Sequence, residues 1–509
     1  MKKITLLSAI LALSGYSHSA TEEAPKTVPE IVAMVNHYCG VCHGVPSPSL
    51  MPKKDWPYVT KAMAELALER TGQEFISKEA LHHISAYYFG SAPESLERLP
   101  YFTRSPAELF TVKPIGDPTP MPQISNIARV QLDKKASAQF LISDIEKNQL
   151  LLLSKKGKKW TEAVIAEIKA PVGIEVLDYD GDGDDDIAVA SLGRILPPFY
   201  TTMGKLVLLR QDDKGKFHQE ILLENVPRVL DVAAQDMDGD KDLDLLVSIY
   251  GADNIGELAW LENRGKEKPV KHTLVPLGGG LNITPGDING DGLLDLVSLV
   301  TQEHEMIIAL VNAGDGNFDY KMLFKASEPM IGSTSMSLVD MDGDKDLDIL
   351  FANGDAHDLQ YDPKPYHGVQ WLENKGQLDF QFHNLARFYG AALAKAADMD
   401  GDGDKDVVAS SWNNYWDDEQ RQTLIWFEND GKQNFTSKGI AHKPSSIVSF
   451  ELEDVNGDGL PDIIAGTFKI DELKATMGKE EAEIKKSLQG VENTRLFVIE
   501  NPLTSTKPK

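Results

Sequence analysis

Two groups of side chains in this sequence have the types and the spacing to do chemistry. The first is Cys39-Gly40-Val41-Cys42-His43, which holds both cysteines of the chain. C-x-x-C-H is the spacing of covalent c-type haem attachment. Two thiols three positions apart on one helical turn reach the two vinyl groups of a single porphyrin. The next residue, His43, then lies under the iron as its axial nitrogen ligand. A redox dithiol would not require the histidine, and a zinc site would want a second ligand pair nearby.

The second group is an acidic motif that occurs six times, beginning at Asp178, Asp236, Asp287, Asp340, Asp398 and Asp454. The copies read DYDGDGDDD, DMDGDKDLD, DINGDGLLD, DMDGDKDLD, DMDGDGDKD and DVNGDGLPD, at intervals of 51 to 58 residues. Positions 1, 3, 5 and 9 offer side-chain oxygen. These are Asp178, Asp180, Asp182 and Asp186 in the first copy and Asp236, Asp238, Asp240 and Asp244 in the second. The third and fourth copies supply Asp287, Asn289, Asp291 and Asp295, then Asp340, Asp342, Asp344 and Asp348. The fifth and sixth supply Asp398, Asp400, Asp402 and Asp406, then Asp454, Asn456, Asp458 and Asp462. Position 4 is always glycine, which permits the sharp turn that points the oxygens inward. Oxygen-only donors in this number suit calcium rather than zinc or copper. So many carboxylates on one loop repel strongly without a cation. An EF-hand shares the start of the motif but needs Glu at position 12 between two helices. Here position 12 is Val189 in the first copy and Val247 in the second, and the flanks read as strands. The reading is therefore up to six calcium sites on strand-connecting loops.

The elements that must hold these groups follow from the pattern around them. Each acidic loop runs into an apolar stretch: IAVAS, LLVSI, LVSLV, ILFAN, VVASS and IIAGT. A second strand-like repeat lies between the loops, at residues 150–153, 206–209, 258–261, 307–310, 369–372, 424–427 and 496–499, several of them continuing as LEN or FEN. That makes seven units. The earliest carries only a degenerate loop, Gln131-Leu132-Asp133-Lys134-Lys135. The pattern over roughly residues 105–503 resembles the FG-GAP/VCBS family, related to the calcium-loop propeller of integrin α chains. The resemblance implies an all-β seven-bladed β-propeller over residues 123–503, with about four strands per blade. It also implies that calcium braces the strand ends rather than catalysing.

Around the C-x-x-C-H motif the pattern is helical. Residues 28–38 predict a first helix; Trp56, Val59 and Met63 share a helical face; Ser77 is placed to cap a last helix carrying Leu81, Ile84, Tyr87 and Tyr88. C-x-x-C-H, then W-x-x-V-x-x-x-M, then a terminal amphipathic helix resembles the small class I cytochrome c domains. That resemblance implies one covalent haem c in an all-α domain over residues 21–100. It also implies Met63 as the distal iron ligand opposite His43. Met51 is the second candidate for that position, and His82 and His83 are the third. Bis-histidine ligation would set a lower potential, since methionine ligation raises it. A Pro-rich segment, residues 101–122, then serves as linker and first outer strand.

Composition bounds the function. The chain has 509 residues and a net charge of −27, which disfavours a nucleic-acid partner. Lys2 and Lys3, an apolar run from Ile4 to Leu13 and Ser17-His18-Ser19-Ala20 read as a signal peptide over residues 1–20, cut after Ser19 or Ala20. That points to a periplasmic or secreted protein with no membrane span. No G-x-S-x-G, P-loop or HExxH motif is present. Inserts at residues 194–200, 250–254, 354–368, 412–416 and 471–489 should emerge on one face of the disc. They gather Phe199, Tyr200, His357, Tyr361, Tyr366, His367, Trp412, Tyr415 and Trp416. Long loops on a rigid scaffold are where binding residues collect. The leading expectation is an exported electron-transfer cytochrome whose propeller docks a redox partner protein. The alternatives are a haem-linked propeller dehydrogenase or carbohydrate-active enzyme, and an adhesion propeller with a small-molecule or glycan ligand on the insert face.

Overall fold

The computed structural model describes residues 27–503 apart from residues 42, 105–109, 134, 196–200, 252–254, 315, 356–362, 471–472, 474, 477–478, 480 and 492. The expected signal peptide, residues 1–20, lies outside the described residues, as do Cys42, Phe199, Tyr200, His357 and Tyr361.

Three helices come first: α1 (Val28–Cys39), α2 (Trp56–Thr71) and α3 (Lys78–Ser91). Helices α1 and α3 start on a capping side chain. The Glu30 carboxylate accepts the Thr27 N–H at 2.6 Å ahead of α1, and Ser77 Oγ accepts the Ala80 N–H at 3.2 Å ahead of α3. Helix α2 stops at Gly72, whose φ of +67° only glycine adopts cheaply. Val35, Leu50, Met51, Trp56, Val59, Ile84 and Tyr88 form their shared core. Trp56 stacks on Tyr88 with ring centroids 3.9 Å apart, and its indole N–H donates to the Pro48 carbonyl at 3.0 Å.

Among the described residues seven sheets follow, six of four strands and one of five. Six blades cover residues 124–167, 171–226, 229–275, 284–325, 333–387 and 391–441. The seventh combines three strands from residues 447–500 with a strand from upstream, Thr111–Ile115, which pairs antiparallel with Leu496–Glu500. This shared blade ties the two ends of the repeat array together. The first strands of successive blades pack side by side around the axis, the seventh against the first included. The array is therefore a closed wheel, and closure leaves only the outermost strands as edges. Second strands such as Asp186–Ser191 and Asp406–Ser411 are buried along their whole length, which accounts for the continuous apolar runs. A buried ion pair between Arg495 and Asp144 adds a second tie between blade seven and blade one.

Strand direction sorts the loops. First-to-second and third-to-fourth connections lie at one end of each blade. Second-to-third connections and the links between blades lie at the other. The acidic loops thus share one face of the wheel, and the inserts share the opposite face. The helical unit sits on the insert face over blades five and six. The Ser47 N–H donates to Glu328 at 3.0 Å, and Met330 and Tyr366 pack against the helical core. The segment after α3 is pinned in turn. The Leu99 N–H donates to the Tyr389 hydroxyl at 2.7 Å, and Arg421 donates to the Leu99 carbonyl at 3.0 Å. The Tyr101 hydroxyl donates to Asp418 at 2.9 Å. Thr103–Arg104 then adds a fifth, parallel strand to blade six. No helix among the described residues is long and apolar enough to cross a membrane.

Candidate metal centres

Cys39 ends α1, and Gly40 closes the helix by donating its N–H to the Asn36 carbonyl at 3.2 Å. A Cβ at residue 40 would meet that carbonyl oxygen at 2.6 Å, so the turn that presents the motif needs glycine. The Cys39 thiol is half-buried against the helical core that contains Tyr88, and burial pushes the thiol pKa up. His43 lies four residues on. Its Nδ1 is 2.7 Å from the Gly44 carbonyl oxygen, which can only accept. Nδ1 therefore carries the proton, and the lone pair is left on Nε2, as a metal-ligating histidine requires. Of the distal candidates, Met51 is buried in the helical core and Met63 is 41% exposed on α2. His82 and His83 lie on α3, where His83 faces Glu79 at 3.8 Å. Cys42 itself falls outside the described residues.

The six acidic loops are built alike. In each, the position-1 aspartate accepts the backbone N–H groups of positions 4 and 6, and in the first, third and sixth loops that of position 5 as well. In the first loop Asp178 takes Gly181 at 2.8 Å and Gly183 at 3.0 Å; in the fourth Asp340 takes Gly343 at 2.8 Å and Lys345 at 3.2 Å. The position-5 carboxylate accepts from position 7, as Asp182 does from Asp184 at 2.9 Å and Asp458 from Leu460 at 3.0 Å. These side-chain-to-backbone bonds coil the chain around its own carboxylates. The position-9 aspartate opens the second strand and is buried. One of its oxygens takes the position-2 N–H and the other takes an N–H from the third strand: Asp244 holds Met237 at 2.8 Å and Asn263 at 2.7 Å. Asp348 does the same with Met341 at 2.9 Å and Asn374 at 2.7 Å. Burial raises the carboxyl pKa at this position, to about 6 for Asp244, Asp348 and Asp462 and about 7 for Asp406.

Carboxylate oxygens converge accordingly. Asp178, Asp180 and Asp186 bring ligand atoms within 4.8 Å of one another, as do Asp236, Asp238 and Asp244. The fourth and fifth loops do so with Asp340, Asp342 and Asp344, and with Asp398, Asp400 and Asp402. The third and sixth loops place Asn289 and Asn456 at position 3. Their Oδ1 atoms accept the position-5 N–H at 2.9 Å and 2.8 Å, so the same turn forms. Such all-oxygen sets could hold a hard divalent cation.

Set beside known proteins, a family model described as an FG-GAP-like repeat matches residues 236–298 and 398–465. The chain carries FG-GAP-like repeats. Among solved structures it is similar to BBS1N, from the crystal structure of BBS1N in complex with ARL6DN, soaked with lead; identity is 10%, coverage 79% of this chain and 98% of that one, and the TM-score 0.43.

Two residue positions in the FG-GAP-like repeats escape motif reasoning. Position 6 has positive φ in all six loops; it is Gly183, Gly292, Gly403 and Gly459 in four but Lys241 and Lys345, at φ +80° and +81°, in two. The other is the asparagine that follows the third strand in blades three, five and seven. Asn263 donates its amide to the Tyr179 carbonyl of the preceding blade at 2.8 Å; Asn374 reaches Ile288 at 2.9 Å and Asn501 reaches Met399 at 2.7 Å. This side chain staples one blade to the loop of the one before it. Its recurrence after the third strand was the available signal. On the insert face, Tyr415 lies under Arg98 with the guanidinium 3.9 Å from the ring centroid. Trp412 donates to the Gly354 carbonyl at 3.0 Å, and His367 is fully buried. Those aromatics serve packing and the chain's own docking.

Proposed function

We propose that the chain is an exported electron-transfer protein. In this reading a helical unit carries one covalent haem through Cys39, Cys42 and His43. A calcium-braced propeller is the scaffold that positions that unit and meets its partner. The observation that carries the reading is His43. Its Nδ1 is committed to the Gly44 carbonyl and its Nε2 is left as donor, immediately after a C-x-x-C pair that begins at the end of α1. The donor set fits haem c, and Val41 within the motif and Met63 on α2 are exposed apolar side chains of the kind that suit a porphyrin face. When bound, the haem would supply one-electron exchange. The chain's own part is to hold His43 in one tautomer, to place Cys39 against Tyr88, and to fix the unit on blades five and six.

Six FG-GAP-like loops with one hydrogen-bond pattern support calcium as a structural ion. The docked helical unit supports a propeller that works first as an intramolecular scaffold. The partner left to propose is a redox protein reaching the outward side of the helical unit. The test is expression in a host that matures c-type cytochromes. The exported protein should carry one haem that survives acidified-acetone extraction, and Cys39→Ala with Cys42→Ala should come out without it. A wild-type protein free of covalent haem would end the reading.

A further inference from the structure

The six loops are alike in backbone but not in what faces them. The third strand of each blade ends in two residues beside the loop, and the second donates its N–H to the position-9 aspartate. The residue before that donor is Glu262, Glu373, Glu428 and Glu500 in blades three, five, six and seven, and Val311 in blade four. In blade two it is Arg210. Its outer-strand partner is inverted as well. Glu262 meets His272, Glu373 meets His383, Glu428 meets Lys438 and Glu500 meets Lys113, whereas Arg210 meets Glu220 at 3.0 Å. The inversion turns a guanidinium onto the acidic loop. Arg210 Nη1 donates to Asp180 Oδ2 at 3.1 Å, with the guanidinium 5.0 Å from the centre of the Tyr179 ring. Asp180 belongs to the converging set Asp178, Asp180 and Asp186; Asp182 and Asp184 of the same loop converge separately with Asp213.

Blade one has gone further in the same direction. Its degenerate loop keeps Asp133, which pairs with Lys156 at 2.9 Å. Where the other blades open the second strand with a buried aspartate, blade one has buried Gln139. Its amide oxygen accepts the Asp133 N–H at 2.6 Å and its nitrogen donates to Ser154 at 3.0 Å. A neutral amide and a lysine there replace carboxylates and a metal ion.

We propose that blades one and two are independent of divalent cations, with Lys156 and Arg210 as built-in cations, and that only the loops of blades three to seven bind calcium. This rests on the calcium reading above and sharpens it to five sites. A divalent ion entering the blade-two loop meets a positive charge within a few ångströms, a repulsion that weakens binding. The expected effect is calcium affinity at residues 178–186 at least about tenfold below that of the other loops.

The test uses full-length protein stripped with EGTA. Equilibrium dialysis with calcium should give five sites per chain. The double variant Arg210→Glu with Glu220→Lys, which copies the blade-six arrangement, should give six. Arg210→Gln is the milder variant should the double one fold poorly. Hydrogen exchange on wild-type protein supplies a second readout. Adding EGTA should speed exchange in residues 236–244, 287–295, 340–348, 398–406 and 454–462 and leave residues 178–186 unchanged. Six wild-type sites, or EGTA-sensitive exchange at residues 178–186, would overturn the inference and leave the calcium reading standing. No calcium sites at all would overturn the calcium reading itself.

Discussion

At the scale of single residues, the acidic loops show how one side chain can serve two ends. A position-1 aspartate spends lone pairs on two backbone N–H groups and still presents oxygen toward its neighbours. The turn has a conformational cost where position 6 is not glycine. A left-handed L-residue costs roughly 1–2 kcal/mol. Lys241→Gly should therefore stabilise the protein by about 0.5–1 kcal/mol once the extra chain entropy of glycine is subtracted. Urea midpoints at saturating calcium check this.

A second residue-scale prediction concerns Asp231 and Glu175, on the first strands of blades three and two. Gly173 lets these strands approach closely; a Cβ there would meet the Leu230 carbonyl oxygen at 2.8 Å. Burial raises Asp231 to about 6, and burial with the Asp231 charge raises Glu175 to about 7. Both folded pKa values exceed the unfolded ones, so the folded state holds these protons more tightly. The pair's contribution to stability therefore improves as pH falls from about 8 through the folded values toward 4, and its penalty is full above them. Asp231→Asn keeps an acceptor for the Ile283 N–H, which Asp231 Oδ2 takes at 3.1 Å. The variant should melt above wild type at pH 8, with the gap closing by about pH 4. An equal gap at both pH values would show that charge is not the cause.

Among the elements, blades meet through their first and second strands, and blades three, five and seven add an asparagine staple. The Asn374 amide links the third strand of blade five to the loop of blade four. Removing it leaves the buried Ile288 carbonyl without that donor. Asn374→Ala should cost about 1–3 kcal/mol. The control is Asn429→Ala, because Asn429 bonds the Lys405 carbonyl of its own blade, at 3.1 Å. Its loss should leave the junction between blades intact. Comparing hydrogen exchange at residues 287–295 in the two variants separates the effects.

For the molecule as a whole, the governing fact is a net charge of −27 with aspartates gathered on one face of a closed wheel. An ion bound only by the folded state must raise stability by mass action. EGTA should thus lower the melting temperature, and sodium chloride should restore part of the loss by screening the loops. A melting curve indifferent to EGTA would argue against structural calcium.

What could be read before the fold was known came from local periodicity. The acidic motif, its glycine, the apolar runs and the strand-like segments after them are contiguous in the chain. They announced a blade count and a repeated loop because each repeat is a short-range unit. The capping serine of α3 and the histidine after the cysteine pair are equally local. The seating of the helical unit on blades five and six was not legible. Ser47 and Glu328, or Leu99 and Tyr389, are hundreds of residues apart and follow no period. The same holds for Arg210: it follows the apolar run Leu206 to Leu209, and only strand pairing turns it toward Asp180. Repetition along the chain determined which loops and strands exist. Tertiary closure decided which side chains oppose one another, because a contact across a wheel depends on register and on which end of a blade a loop emerges.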